Sequence, residues 1–319
     1  MLAAVPYTHA RDTLRGRVLV VANPAAACVT DGLVDSVLAR LRAAGAAVEA
    51  RGTAGPGLGG AAHDDRPDAV VAIGGDGTVR AVAQAVAALP GPRPVLVALP
   101  AGSGNSTSRN LWGDLALPEV IERALDPAAC VVRRIDLLHL TEPGVLSVLG
   151  ASSGFLAAVL VGARGVPVQV RGRDRYFAAA AQVLQAMPAH PTRVTVDGVV
   201  VFDGPASSVT VGGGRFRAHG FQFLPQSLLD DGLLDVSVIA ALDGAALAEL
   251  VPLIPTGEHL ARPEVGYARG RRVEIARTDG APLVAEYDGE VWTDAGPRLT
   301  AEVVPGALPV LAPRRPPAG

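Results

Sequence analysis

The stretch Asp68-Ala-Val-Val-Ala-Ile-Gly-Gly-Asp-Gly-Thr78 joins an apolar run to a glycine-rich turn, and a helical pattern follows over residues 79–89. The apolar run predicts a buried strand. Glycines let the backbone approach an anion and adopt positive φ, while the first N–H groups of the next helix point at that anion with the helix dipole behind them. Strand, glycine turn and helix in this order therefore predict a phosphate site.

Asp76 is the unusual member of this turn, because a carboxylate beside phosphates repels them unless a divalent cation lies between. The turn therefore predicts a phosphate together with Mg²⁺. Aspartate is also a common residue at helix N-termini, and the two roles are compatible.

A second turn of the same kind follows the next strand. Residues 94–99 are strand-like and lead into Pro100-Ala-Gly-Ser-Gly-Asn-Ser-Thr-Ser-Arg109, which is rich in hydroxyl and amide side chains. Ser103 and Asn105 are the candidate ligand-binding residues here, with a plain helix N-cap as the alternative. Two such turns at successive strand ends can face one crevice.

The wider pattern predicts two domains. Residues 17–128 alternate strands and helices, which predicts a mostly parallel sheet with ligand loops at the carboxyl ends of its strands, where Asn23, Gly74 and Gly102 fall. Residues 129–312 contain short period-two strands that predict an antiparallel, β-sandwich-like domain, whose last segment is a candidate for return to the first domain. We expect the substrate between the two halves. Residues 1–16 form an N-terminal extension, and residues 313–319 are predicted to be a disordered tail.

Composition narrows the class of protein. The 319 residues are 49% hydrophobic and 18% charged, and their net charge of −3 gives no electrostatic reason to expect a nucleic-acid partner. Cys28 and Cys130 have no partner at metal-ligand or disulfide spacing, so a reducing cytoplasm is the expected location. The most hydrophobic stretch, residues 145–163, is interrupted by serines and glycines, and we interpret it as buried strands rather than a membrane span.

Several motifs along the chain occur in the order typical of one protein family. They are Asn23-Pro24, Gly74-Gly-Asp-Gly-Thr78, Pro100-Ala-Gly-Ser-Gly-Asn105, Gly150-Ala-Ser-Ser-Gly-Phe155, residues 225–236, Asp288-Gly-Glu290 and residues 304–311. With them the chain resembles the diacylglycerol kinase catalytic superfamily, which includes sphingosine kinases, ceramide kinases and bacterial lipid kinases. The resemblance covers residues 17–313. It implies a Rossmann-like α/β N-terminal domain of the NAD kinase and diacylglycerol kinase type, followed by a C-terminal antiparallel β-sandwich domain.

The resemblance also implies which residues bind the cofactors. The expected ATP contacts are Asn23, Pro24, Ala25, Thr53, Gly74, Gly75, Gly77, Thr78, Ser103, Gly104 and Asn105. Mg²⁺ is expected at Asp76, and a structural Mg²⁺ is expected at Asp231 with the backbone carbonyls of Leu228 and Leu233. Hard cations take oxygen ligands, which suits this turn, and a plain hairpin built on Asp231-Gly232 is the alternative.

The segment Asp288-Gly289-Glu290 ends a predicted strand over residues 283–287. Strand alternation predicts that Asp288 and Glu290 share one face, where carboxylates near a phosphate site can accept a proton and hold metal-bound water. The resemblance favours Glu290 as the proton acceptor, with Asp288 beside it and Asp76 as a third catalytic residue. A solvated turn is the alternative.

The chain departs from the family pattern at three places: residues 25–27 are alanines where Ser-Gly is usual, Arg80-Ala81 replaces Asn-Glu, and Leu156 replaces Asp.

The leading hypothesis is an ATP-dependent lipid kinase that uses Mg²⁺ and transfers the γ-phosphate to a hydroxyl of diacylglycerol or a sphingoid-like lipid. It implies transient peripheral contact with the inner face of the membrane, and a homodimer is a further candidate assembly. The alternatives are an NAD kinase and a nucleotide- or lipid-binding homologue without turnover.

Overall fold

The computed structural model describes residues 8–9, 13–53, 67–167, 169–170, 172–186 and 189–314. The chain divides into two compact units, one from Met1–Ile135 with Gly306–Gly319 and one from Asp136–Pro305. The strand Cys130–Leu140 begins in the first unit and ends in the second, and the predicted domain boundary at residue 128 stays a prediction. The last strand, Arg298–Pro313, likewise ends in the first unit. Most of the predicted tail, residues 315–319, lies outside the described residues.

The first unit alternates strands and helices. Its elements are β1 (Thr8–His9), β2 (Arg17–Ala22), α1 (Asp31–Ala43), β3 (Ala47–Gly52), β4 (Ala69–Gly74), α2 (Asp76–Ala87), β5 (Val95–Pro100), α3 (Ser106–Trp112), α4 (Leu117–Leu125) and the start of β6 (Cys130–Leu140). Strands β3, β2, β4 and β5 pair in parallel in that order, and Val310 pairs in parallel with Leu96 of β5. The predicted mostly parallel sheet is confirmed.

Burial in this unit follows from the parallel arrangement. All six residues of β4 are buried, as is usual for a strand that is covered on both faces of a sheet. Helix α1 begins where Thr30 accepts a hydrogen bond from the N–H of Leu33 at 3.2 Å, and it buries an apolar stripe that includes Leu41. Because β2, β4 and β5 run in one direction, the residues that follow them lie at one edge of the sheet.

The second unit is built on antiparallel strands. Its elements are the end of β6, β7 (Val145–Ser147), β8 (Gly150–Gly154), α5 (Phe155–Ala163), α6 (Gly172–Ala186), β9 (His190–Val196), β10 (Val199–Gly212), β11 (Leu234–Ala240), α7 (Gly244–Leu250), two 3₁₀ segments (Val251–Thr256 and Glu258–Ala261), β12 (Val265–Gly270), β13 (Arg272–Arg277), β14 (Ala285–Tyr287), β15 (Glu290–Trp292) and most of β16 (Arg298–Pro313). The strands pair in the order β15, β14, β8, β10, β9, β13, β16, while β11 pairs with β10 and with β12. The predicted antiparallel pairing is confirmed.

The stretch over residues 145–163 differs from its prediction in its second half. Residues 155–163 form helix α5 and not a strand, because Gly154 adopts φ 87° and ends β8. A continuous apolar run does not by itself distinguish a buried strand from a buried helix. Leu156, one of the departures from the family pattern, is buried in the apolar cluster around α5. Among the described residues, we find no helix whose length and apolar character would let it cross a membrane.

Candidate active site

The first unit brings together the loops that follow β2, β4 and β5. The N–H of Asn23 donates to the carbonyl of Ile73 at 3.0 Å, and its side-chain amide donates to Thr78 Oγ1 at 3.1 Å. The N–H of Cys28 donates to the carbonyl of Ala101 at 3.1 Å, and the N–H of Ala101 donates to the carbonyl of Gly74 at 3.1 Å. Three loops far apart in sequence therefore form one connected surface at the sheet edge.

Glycines allow close packing within and between these loops. A Cβ atom at Gly102 would lie 2.2 Å from the Cα of Gly75, and a Cβ atom at Gly74 would lie 2.4 Å from Thr78 Oγ1. Gly75 has φ −88°, which any residue can adopt. Close packing of backbone against backbone, and not positive φ, is therefore the reason for glycine at Gly75 and Gly102.

Asp76 joins the second and third loops. Its Oδ2 accepts a hydrogen bond from the N–H of Ser106 at 2.9 Å, and its Oδ1 accepts one from the N–H of Thr107 at 2.8 Å. The carboxylate thus caps α3, a neighbouring helix, while it stands at the start of α2. Each carboxylate oxygen has a second lone pair, so the half-buried Asp76 can still bind a cation. The metal role stays a prediction.

The remaining predicted nucleotide residues mostly shape the loops. Asn105 adopts φ 53°, and its side chain both accepts from the N–H and donates to the carbonyl of Gly102, each at 2.8 Å. Ser103 beside it is exposed. The N–H of Ala25 donates to Asn23 Oδ1 at 3.0 Å, and the N–H of Thr53 donates to the carbonyl of Ala22 at 3.2 Å. Neither of these N–H groups therefore points freely at a ligand.

The second unit places Asp288 and Glu290 in different environments. Strands β14 and β15 form a hairpin in which Tyr287 pairs with Glu290, and Asp288 (φ 47°) and Gly289 (φ 82°) are its two turn residues. Asp288 is buried, whereas Glu290 is exposed. The prediction that the two carboxylates share one face is wrong, because strand alternation stops at the turn.

Asp288 anchors this turn to the segment before β8. Its Oδ1 accepts hydrogen bonds from Ser147 Oγ (2.8 Å) and from the N–H groups of Leu149 (2.8 Å) and Gly150 (3.2 Å). Its Oδ2 accepts from the N–H of Val148 at 2.8 Å. With four hydrogen bonds from buried groups, Asp288 anchors the turn. The catalytic roles of Asp288 and of the exposed Glu290 stay predictions.

Sequence reasoning missed a buried ion pair behind this hairpin. Glu286 Oε1 accepts from Arg217 at 2.5 Å and from Ser152 Oγ at 2.6 Å, while its Oε2 accepts from the N–H of Gly289 at 2.9 Å. Glu286 and Arg217 are 1% and 4% exposed. The available signal was Glu286 itself, a charged residue in an otherwise apolar strand two positions before Asp288. Nothing local marked Arg217 as its partner.

Arg269, a residue of β12, contacts the turn in which we predicted the second metal ion. Arg269 donates to Asp231 Oδ2, and its Nε donates to Asp235 Oδ1 at 2.9 Å. Burial raises the pKa of the Asp235 carboxyl, and Tyr267 donates a hydrogen bond to it at 2.8 Å. The side chain of Leu228 is exposed. Within the described residues, no cluster of three or more His, Cys, Asp or Glu side chains is arranged to hold a metal ion.

Comparisons with known proteins agree with this arrangement. The chain matches the diacylglycerol kinase catalytic domain over residues 17–139 and the YegS C-terminal NAD kinase beta sandwich-like domain over residues 151–312. It is 30% identical over 277 residues to a diacylglycerol kinase of Mycobacterium tuberculosis, covering 81% of this chain and 84% of the relative. It is 29% identical over 258 residues to a probable YegS-like lipid kinase of Stenotrophomonas maltophilia, covering 77% and 79%.

A solved structure has the same fold. A diacylglycerol kinase from Bacillus anthracis strain Sterne superposes with a TM-score of 0.72 at 20% identity, over 92% of this chain and 96% of that one. The solved structure, the two domain matches and the sequence relatives all agree with the predicted architecture. The chain therefore belongs to the family of diacylglycerol kinases and YegS-like lipid kinases.

Proposed function

We propose that this family member is an ATP-dependent kinase that transfers the γ-phosphate of ATP to a hydroxyl group of diacylglycerol or a sphingoid-like lipid. The observation that carries the proposal is the joining of the loops after β2, β4 and β5, with Gly75 packed against Gly102. Glycine loops at strand ends, with a helix N-terminus beside them, suit the phosphates of a nucleotide. The proposed ATP-binding residues are Asn23, Pro24, Ala25, Thr53, Gly74, Gly75, Gly77, Thr78, Ser103, Gly104 and Asn105.

The donor chemistry of Asp76 fits a magnesium ion that accompanies ATP. The carboxylate is half-buried, and its hydrogen bonds to the N–H groups of Ser106 and Thr107 hold it in one orientation. A bound Mg²⁺ would neutralise negative charge on the phosphates of ATP. Asp76 would bind this cation without releasing α3. The second Mg²⁺ that the resemblance predicts at Leu228, Asp231 and Leu233 is not part of this proposal, because Arg269 already contacts the Asp231 carboxylate.

Glu290 is the proposed acceptor of the proton from the lipid hydroxyl. It is exposed on β15, so a substrate can reach it, and the turn before it is anchored by Asp288. Positioning of the reactants and neutralisation of charge would supply most of the rate. The acceptor lipid resides in a bilayer, so the proposal includes transient peripheral contact with the membrane. A homodimer is a candidate assembly that sedimentation would test.

Turnover with radiolabelled ATP tests the proposal. Diacylglycerol, sphingosine, ceramide and phosphatidylglycerol would be offered in mixed micelles, with NAD in a parallel reaction and Glu290→Gln as a control of strongly reduced activity. We expect label in one lipid product with the wild type and much less label in the same product with the control. Label on NAD would support an NAD kinase instead. Binding of ATP without label in any acceptor would support a homologue that has lost turnover.

A further inference from the structure

We propose that Glu286, held by Arg217, is a positioning residue for Glu290, an inference that rests on the proposed function. Glu286 lies in β14, directly before the turn that leads to Glu290. Its Oε2 accepts the N–H of Gly289, the residue adjacent to Glu290. Together with the hydrogen bonds of Asp288 to residues 147–150, this contact holds both residues of the turn, Asp288 and Gly289.

The burial of the pair argues that it does more than stabilise the fold. A buried ion pair loses hydration on both partners, and its replacement by apolar residues of similar volume is often neutral or stabilising. Glu286 and Arg217 are both nearly inaccessible, and the Nη1 of Arg217 has no hydrogen-bond partner. Because burial of the pair costs hydration energy, a specific contact is the better explanation for its presence. That contact is the hydrogen bond from the N–H of Gly289, in the hairpin turn, to Glu286.

The loop that carries Arg217 is itself strained. Ala218 and His219 adopt φ 43° and 65°, a left-handed conformation that non-glycine residues rarely take. The N–H of Arg217 donates to the carbonyl of Phe221 at 2.8 Å, and the N–H of Phe221 donates back at 2.9 Å, which closes this loop. Backbone strain of this kind clusters at functional sites. Here it holds the guanidinium that neutralises Glu286.

The test separates positioning from stability by removing the whole network. The variant Arg217→Met/Glu286→Leu/Ser152→Ala removes the three buried polar side chains together, and the N–H of the exposed Gly289 can meet water. We expect the unfolding midpoint to stay near that of the wild type, while kcat falls about 10- to 100-fold with the KM for ATP unchanged. Glu286→Gln keeps the shape of the side chain and should lower kcat by a smaller factor.

A second readout does not depend on turnover. Hydrogen exchange of the amides in residues 287–290 should become faster in the triple variant and stay unchanged in Glu290→Gln, whose network is intact. A stable triple variant that keeps the wild-type kcat, or unchanged hydrogen exchange of the amides in the turn, would overturn the inference. A wild type that phosphorylates no lipid would instead reject the proposed function, and the exchange measurement would still decide whether Glu286 fixes the turn.

An independent observation concerns the Asp231 turn, where we infer that Arg269 supplies the positive charge in place of a divalent cation. Arg269 lies directly opposite Asp235 in the pairing of β11 with β12, so both side chains project from the same face. From there the guanidinium contacts Asp235 and reaches Asp231. The other oxygen of Asp231 accepts the N–H of Leu233 at 3.1 Å.

This donor set does not fit a bound Mg²⁺ as it stands. Mg²⁺ requires near-octahedral oxygen ligands and keeps several waters, so it would have to displace a guanidinium that is anchored on a second, fully buried carboxylate. The pair between Arg269 and Asp235 is set by strand register, and it persists as long as β11 and β12 are paired. The arrangement makes the turn independent of metal.

Melting temperatures with and without chelator test this inference in the ATP-free protein. We expect no shift in the wild type, whereas Arg269→Gln should melt at a lower temperature and regain stability when MgCl₂ is added. The control Arg269→Gln/Asp231→Asn should not respond to MgCl₂. A chelator-induced loss in the wild type that Asp231→Ala abolishes would overturn the inference, as would an Arg269→Gln variant that melts like the wild type and ignores MgCl₂.

Discussion

Asp288→Asn is expected to destabilise the second unit strongly, although the substitution keeps the size of the side chain. Asparagine tolerates the left-handed backbone that Asp288 adopts at φ 47°, so the change acts through the side chain alone. The carboxylate accepts four hydrogen bonds, three at Oδ1 and one at Oδ2. An asparagine offers only one acceptor oxygen. If that oxygen takes the Oδ1 place, its NH₂ group faces the N–H of Val148.

The magnitude follows from these contacts. A buried donor left unpaired costs about 1–3 kcal/mol, and hydrogen bonds to a charged acceptor exceed neutral ones by roughly 1–1.5 kcal/mol each. One unpaired N–H at Val148 and three weakened bonds therefore amount to about 4–7 kcal/mol. That is a large part of the roughly 5–15 kcal/mol that holds a typical domain together.

Urea unfolding followed by tryptophan fluorescence measures the effect. The chain has two tryptophans, Trp112 in the first unit and Trp292 in β15, so a Trp112→Phe background reports on the second unit alone. Glu290→Gln is the matched control, since an exposed substitution changes stability by about 0.5 kcal/mol or less. A shift below about 1 kcal/mol for Asp288→Asn would refute the anchoring role. If turnover were lost at wild-type stability, Asp288 would belong to the chemistry instead.

Three further outcomes are expected in assays of turnover and of ATP binding. Asp76→Asn should lower turnover by roughly 10²-fold or more, because it removes the anionic ligand of the Mg²⁺ that would neutralise the phosphate charge, and near-normal kcat in a folded variant would reject the metal role. Gly102→Ala should abolish ATP binding in calorimetry, because its Cβ would lie 2.2 Å from the Cα of Gly75, whereas Gly32→Ala, with nothing within 4 Å, should bind like the wild type. Glu290→Gln should lower kcat by about 10²- to 10⁴-fold and leave ATP affinity unchanged, and a parallel loss of ATP affinity would move Glu290 to the nucleotide site.

Local pattern was sufficient for the architecture and for the place of the glycine-rich loops after β4 and β5. The run before Gly74 predicted a buried strand, the glycines predicted a turn, and the alternation over residues 17–128 predicted the parallel sheet that the structure contains. Each of these signals depends on residues a few positions apart, because hydrophobic periodicity and turn chemistry are properties of short segments. The helix over residues 155–163 was missed because its apolar run has no distinguishing period.

Only the tertiary structure decided what the polar side chains contact. Asp76 meets α3 at residues 106 and 107, Asp288 turns inward to residues 147–150, and Glu286 pairs with Arg217 across 69 residues of sequence. From the sequence alone, metal binding and helix capping were both open for Asp76, catalysis and a solvated turn were both open for Asp288, and Glu286 carried no prediction. A buried carboxylate takes whichever donors the packing of distant segments brings within about 3 Å. That choice depends on strand register and loop contact, and neither is encoded in any one stretch of the chain.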